Sequence, residues 1–291
     1  MKALHLARGR TRATLLPGAG GRLHALDILL ERWTPLLVAP AAAADAPRAP
    51  TQSGSFAMAP WPNRIAGARF AFGGRTHALE ANHGAHAIHG LGAFRPWSVE
   101  SSSAEACALW CSLEGAWPFG GRLVQRIAVH DDGIEQTVEV HAGREPFPAG
   151  AGWHPWFRRD VRPGAEPHVR IDADETYELR DMIPTGALRR VTGDTDLRDG
   201  PALGARRLDE CYRAVRGPLT VRWGDVELRM QSSPNVTHAV AYTPEHAFCV
   251  EPQTCAIDAF NLAARGVDAG VIVVEPGRPL IASTAWRWRA G

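Results

Sequence analysis

At 291 residues the chain is long for one domain, yet β-sandwiches and barrels reach comparable lengths, and 45% hydrophobic with 22% charged residues excludes disorder and coiled coil in favour of a large core. A formal net charge of +1 gives no electrostatic basis for binding nucleic acid or an anionic membrane. Lys2 is the only lysine, which excludes Schiff-base and pyridoxal-phosphate chemistry and a P-loop, each of which needs an internal lysine.

Along the chain, Thr14 to Leu37 reads as short strands around the turn Pro17-Gly18-Ala19-Gly20-Gly21. Leu23 stands where a G-x-G-x-x-G motif needs its last glycine, so a dinucleotide fold has no support. No apolar segment of signal-peptide type occupies residues 1–21, and Pro35 and Pro40 interrupt the Leu/Ala-rich run that follows; the expectation is a cytoplasmic protein without a membrane span. The five cysteines form no C-x-x-C pair and are read as reduced thiols. Residues 40–54 are expected to form a surface loop, and the prolines at 60 and 62 make the segment after it irregular.

A hairpin is predicted from Arg69-Phe70-Ala71-Phe72 through Gly73-Gly74 to Leu79. In the loop that follows, His83, His86 and His89 recur every third residue. No carboxylate or cysteine follows at ligand spacing, so no metal site is expected there. His86 is read as ordering the loop. Residues 97–141 read as antiparallel strands, most clearly the hairpin Arg122–His130 and Ile134–His141 about Asp131-Asp132-Gly133.

In Gly152-Trp153-His154-Pro155-Trp156-Phe157 a histidine stands between two tryptophans. Pro155 fixes its own φ and drives His154 toward an extended backbone, which sets the direction of the imidazole. Flanking rings would keep it partly dry, and a histidine so placed is a candidate general acid. Strand signals continue through Val169–Ile171, Thr176–Leu179 and the hairpin Leu219–Trp223 with Val226–Met230, whereas Pro184 to Ala205 reads as a long polar stretch. Two further runs, His238–Tyr242 and Ala247–Val250, deliver Glu251-Pro252-Gln253-Thr254. No window shows a sustained helical period, so the expected fold is all-β with only short helices.

Taken in order, Pro62-Asn63-Arg64-Ile65 with Gly67, Asn82 through His89-Gly90, His154-Pro155-Trp156-Phe157, Leu208-Asp209 with Tyr212, Glu251-Pro252-Gln253-Thr254 with Asp258 and Asn261, and Glu275-Pro276-Gly277 resemble the aldose 1-epimerase, or galactose mutarotase, family. The motifs lie between residues 62 and 277, and the strand pattern carries the likeness to about residues 14–288. The resemblance implies one domain over residues 1–291, a large antiparallel two-sheet β-sandwich with an open sugar cleft and no cofactor. It implies Glu251 as general base and His154 as general acid, with His89, Arg64 and Asp209 binding the sugar. The His-Pro-Trp-Phe form is nearer the His-Pro-Tyr-Phe of bacterial members than the Asn-His-Ser-Tyr-Phe form of galactose enzymes, which leaves the sugar open.

The chemistry suits those residue types. Opening a cyclic hemiacetal takes a base for the C1 hydroxyl proton and an acid for the ring oxygen; an ionised Glu and a partly protonated His supply both near neutrality. The expected partner is a small sugar, the expected assembly a monomer or homodimer. Two other readings stay open: a hexose 6-phosphate mutarotase, with Arg75 or Arg95 on the phosphate, and a non-catalytic sugar-binding module. Trp61, Trp97 and Trp156 are equally core residues or sugar platforms by sequence.

Overall fold

The computed structural model describes residues 2–40 and 51–291; most of the loop expected at 40–54 therefore lies outside the described residues. Two large antiparallel sheets dominate. One has eleven strands, running Leu4–Arg8, Thr11–Leu16, Arg22–Leu29, Ser55–Met58, Gly152–Pro155, Cys249–Gln253, His238–Tyr242, Asp209–Arg213, Glu175–Arg180 and Ile183–Arg190, with Trp33–Pro35 added beside Arg22–Leu29. The other has eight, in the order Ser98–Ser102, Ala106–Ser112, Arg122–His130, Gly133–His141, Leu280–Ala290, Val226–Ser232, Arg216–Trp223 and Pro167–Asp172. The all-β, two-sheet expectation holds. Among the described residues the single α-helix is Ala259–Ala264, and no helix is long and apolar enough to cross a membrane.

Each strand alternates its side chains between two faces, and the core is built from the faces that the sheets turn toward each other. Leu109, Leu123, Val138 and Trp286 from the eight-stranded sheet join Leu15, Leu26, Trp153 and Tyr212 from the other in one apolar cluster. Phe157 links the layers, with ring centroids 6.0 Å from Trp223 and 5.7 Å from Trp286. Polar ties cross as well: the Trp288 indole donates to Thr11 Oγ1 at 2.8 Å, and Gln125 donates to the Gly21 carbonyl at 3.0 Å.

The same alternation sends a second set of residues from the middle of the eleven-stranded sheet to its opposite face. Phe56, Met58, Trp156 and Cys249 cluster there, and His154 and Glu251, each one or two residues along the same strands, lie with them. That face is covered by the irregular segment after Met58, the loop through Ile88, and the helix Ala259–Ala264, which packs on the strands Arg69–Phe72 and Arg64–Ile65. The sheet is thus buried on both faces at its centre, the condition under which polar side chains can be held dry.

One element differs from the sequence reading. Ile183–Arg190, which runs into the stretch from Pro184 to Ala205 read only as long and polar, is an edge strand paired with Glu175–Arg180 across a bulge between Tyr177 and Leu179. An edge strand with a largely exposed surface needs no hydrophobic alternation, so periodicity gave no signal. The helix Ala259–Ala264, six residues long, agrees with the expectation of only short helices.

Gly152 lies at a close approach of the two central strands. Its backbone is not left-handed; a Cβ there would lie 2.7 Å from Gln253 Cβ and 2.9 Å from the Pro252 carbonyl oxygen, so only glycine permits the approach of the two central strands. Gly152→Ala is expected to lower unfolding stability by about 1–3 kcal/mol, the usual cost of overpacking. Chemical denaturation measures it, and a midpoint equal to wild type contradicts the close approach.

Candidate active site

A cavity of about 260 Å³ opens on the covered face of the eleven-stranded sheet, lined by Thr51, Gln52, Asn63, Arg64, His83, Ile88, His89, His154, Trp156, Asp209, Tyr242 and Glu251. Arg64, His89, His154, Asp209 and Glu251, spread over most of the sequence, all lie on its wall. Its floor is the sheet itself. His154 sits opposite Phe56 in the ladder with Ser55–Met58, and Gly152 opposite Gln253 in the ladder with Cys249–Gln253. Val240 pairs with Glu251 and Tyr242 with Asp209, so four adjacent strands supply His154, Glu251, Tyr242 and Asp209.

At the closed end, His154 Nε2 lies 3.4 Å from Glu251 Oε1. Both are nearly inaccessible, His154 at 4% and Glu251 at 1% of full exposure. The imidazole is sandwiched, stacked on Phe56 at 4.9 Å and on Trp156 at 5.3 Å, and the edge of His89 meets it at 4.9 Å. These contacts fix the plane of the ring, which leaves the direction of Nε2 little freedom. Thr254 locks the two strands beyond the pair: its N–H donates to the Ala151 carbonyl at 2.8 Å and its Oγ1 accepts from the Ala151 N–H at 2.9 Å.

Irregular segments supply the remaining wall. His89 has a left-handed backbone, φ +61°, and Gly90 after it has φ +69°, where a Cβ would fall 2.1 Å from the Ala59 carbonyl oxygen. The chain can therefore turn sharply enough to push the His89 ring inward, where Nδ1 rests 3.0 Å from Met58 Sδ. Asn82 pins this loop by accepting from the Ile88 N–H at 2.7 Å and donating to the Ile88 carbonyl at 3.2 Å. Arg64 donates from Nη1 to Asn63 Oδ1 at 3.0 Å. Asp258 holds the Arg64 segment by accepting from the Ala66 N–H at 2.9 Å while its own N–H donates to the Arg64 carbonyl at 2.8 Å; Asn261 in turn donates to Asp258 Oδ1 at 2.7 Å.

The electrostatics are set by loss of water. Burial pushes the Glu251 carboxyl well above the usual range and nearby Asp209 adds to the rise, with Arg64 opposing it. Burial lowers His154 to about 3, and the buried Arg22 guanidinium adds to the fall. His89 also falls well below its ordinary value, through burial first and then the neighbouring His154 and Arg64. Asp209 is raised by burial, against the pull of Arg64. This reverses the expected charges: with no sugar bound, the shared proton favours Glu251 and leaves His154 neutral, because an ion pair in so dry a site loses more hydration than it recovers. The second carboxyl oxygen, Oε2, is buried with no hydrogen-bond partner among the described residues.

Of the tryptophans, Trp156 alone lines the cavity; Trp61 stacks on Trp117 at 5.4 Å and Trp97 donates to the Gly92 carbonyl, both as core residues. Arg75 and Arg95 lie away from the cavity, and Arg64 is its one arginine among the described residues. His83, His86 and His89 do not gather their ring nitrogens: His86 Nδ1 accepts from the Gly67 N–H at 3.1 Å while His89 faces Met58. The one set of three metal-type donors within 4.8 Å of one another among the described residues is His154, Cys249 and Glu251. Asn63, His83 and Tyr242 also line the cavity and had no role by sequence. Tyr242 was open to detection, since alternation along His238–Tyr242 places it with Val240 on the face away from the core.

Comparison with known proteins bears on the family and the fold. The family model described as aldose 1-epimerase matches residues 4–285. Among relatives, the chain is 23% identical over 235 residues to the uncharacterized protein YihR of Escherichia coli, covering 76% of this chain and 75% of that one. It is 32% identical over 127 residues to the uncharacterized protein YphB of the same organism, covering 42% and 41%. A galactose mutarotase-like protein from Clostridium acetobutylicum superposes with a TM-score of 0.88 at 19% identity, over 99% of this chain and 95% of that one. The GalM/aldose epimerase homologue from C. elegans gives 0.86 at 20%, over 99% of each chain. These structural likenesses speak for the fold; with the family match across nearly the whole length, the chain belongs to the aldose 1-epimerase family.

Proposed function

We propose that the protein interconverts the α and β anomers of a free aldohexose by acid–base opening and closing of the ring. The observation that supports this most is the buried His154–Glu251 contact of 3.4 Å at the end of a sugar-sized cavity. Both anomerisation protons reside on oxygens, O1 and the ring oxygen O5, bonded to the same carbon, so two proton-exchanging groups side by side match the geometry of the reaction. Glu251 is the base and His154 the acid. Opening takes the O1 proton onto Glu251 and gives the His154 proton to O5, which leaves a protonated carboxyl and a neutral imidazole. That is the arrangement burial favours, so the dry site stabilises the pair at the open-chain stage. Rotation about C1–C2 and the reverse transfers then yield the other anomer. Arg64, Asp209 and His89 bind the hydroxyl groups and hold the sugar in place, Arg64 and Asp209 as charged partners that strengthen their hydrogen bonds. The site supplies no evident electrophile to stabilise a carbanion at C2, so no carbon-bound proton is expected to exchange.

The free sugar is preferred over a 6-phosphate because bidentate phosphate recognition calls for clustered guanidinium groups, and Arg64 stands alone among the described cavity residues. Saturation-exchange NMR over a panel of aldohexoses and their 6-phosphates is expected to show faster anomer exchange with at least one free sugar than with its phosphate. Glu251→Gln should slow kcat by roughly 10²–10⁴ and His154→Asn by a similar factor, with the double variant far short of the product because both groups act in one step. Exchange unaffected by Glu251→Gln, or confined to phosphates, contradicts the proposal.

The pair also sets the pH dependence. Independent groups with ordinary values, about 4.3 and 6.5, would provide ionised Glu and protonated His together only between them, and activity would fall above about pH 6.5. Here the active pair carries one proton in total. His154 is lowered and Glu251 raised, so the second proton is bound only well below 6.5 and the single proton is lost only above the ordinary carboxylate range. The acid limb of the kcat/KM profile is therefore expected below the ordinary carboxylate value, toward the value of about 3 to which His154 is lowered. An acid limb with a midpoint at or above about 4.3 contradicts it.

A further inference from the structure

Cys249 takes no part in the chemistry above, yet it stands on the same strand as Glu251 and the same face, two residues away, wholly buried. Its sulfur, a nitrogen of His154 and a carboxylate oxygen of Glu251 all lie within 4.8 Å of one another. We propose that these three side chains form a site for a thiophilic divalent cation, Zn²⁺ or Cd²⁺, distinct from any need of the proposed reaction.

From bond lengths of about 2.0–2.3 Å, a tetrahedral zinc holds its ligands roughly 3.3–3.8 Å apart. The separation of His154 Nε2 from Glu251 Oε1, 3.4 Å, already falls in that range. The backbone is held at this point by the strand ladders and the aromatic sandwich, so the donors are arranged before the ion arrives. Oε2 of Glu251, buried and without a partner among the described residues, offers a second carboxylate oxygen to the ion. Three protein ligands leave a fourth position, and because His154 and Glu251 line the cavity that position faces it, where water completes the shell.

Charge also suits the ion. A divalent cation with one thiolate, one carboxylate and one neutral imidazole sums to zero, so the loaded site, like the sugar-free pair, buries no net charge. On binding, the Sγ–H bond breaks, the sulfur–metal bond forms, and the thiol and carboxyl protons pass to solvent. A mixed S, N and O donor set selects for zinc-like ions over Mg²⁺ or Ca²⁺, which demand oxygen shells. The ion sits on both groups assigned to proton transfer, so it is expected to compete with the sugar. That consequence alone rests on the proposed activity.

The test reads binding without turnover. The full chain is titrated with Cd²⁺ and followed by the ultraviolet thiolate-to-cadmium charge-transfer band. The expected result is one ion per chain for wild type, no band and at least ~100-fold weaker binding for Cys249→Ser, more than outer-sphere changes cost, and an unchanged band for Cys111→Ser. Glu251→Gln, which keeps the thiol, should retain a band at higher Cd²⁺ concentration and guards against a misfolded Cys249→Ser. A wild-type chain without the band, or a band that persists at unchanged affinity in Cys249→Ser, overturns the site. If Cd²⁺ binds as expected while no sugar is turned over, the site stands and the proposed activity falls.

Discussion

Everything distinctive about this molecule depends on the ladder between Gly152–Pro155 and Cys249–Gln253, two strands far apart in sequence that pair at the centre of the eleven-stranded sheet. Strand pairing leaves side chains on one face about 5 Å apart, near enough for an imidazole and a carboxyl to share a proton. The bare flank of Gly152 lets the backbones close up, Thr254 ties them further along, and the outcome is the 3.4 Å contact. A surface pair at that distance would contribute little. Here both members are cut off from water, and burial decides where their proton lies.

The two faces of the sheet divide the labour. Trp153, Phe157 and Val250 point into the sandwich and meet the eight-stranded sheet, while His154, Trp156, Cys249 and Glu251 point the other way. A hydrophobic layer therefore lies one residue from His154 and Glu251, which lets these strands hold buried polar atoms without the site collapsing upon them. The short segments around Arg64 and His89 pair with each other, Arg64 with Ile88 and Ile65 with Ala87, and Ile65 and Ala87 join the core cluster. They are held further by side chains that never reach the cavity: Asn82 on the Ile88 backbone, and Asp258 with Asn261 on the backbone of Arg64 and Ala66.

Much of this was legible in the sequence, for reasons that differ by residue. Hairpins such as Arg122–His130 with Gly133–His141 announce themselves through turn residues and alternation, both local signals. His154 was singled out by its proline and flanking tryptophans. Arg64, Asp209, His89 and Glu251 were drawn from the ordered motifs, which also contain Asn82, Asp258 and Asn261; only the hydrogen bonds separate those that line the cavity from those that brace it. The shift of the sugar-free pair toward a protonated Glu251 and a neutral His154 had no local signal, since desolvation is a property of surroundings assembled from the whole chain. Tyr242 and Cys249 were passed over as members of apolar runs, and the edge strand Ile183–Arg190 carries no periodicity to find.

The central physical claim is that burial keeps His154 neutral beside a protonated Glu251 until a sugar is bound. It is tested most directly by nitrogen-15 NMR of the His154 ring in the sugar-free protein, assigned by its disappearance in His154→Asn. The account predicts a neutral imidazole at pH 7 that takes up no proton as the pH is lowered through 6.5, consistent with a value brought down to about 3. A ring that is doubly protonated at neutral pH, or that titrates near 6.5, contradicts it.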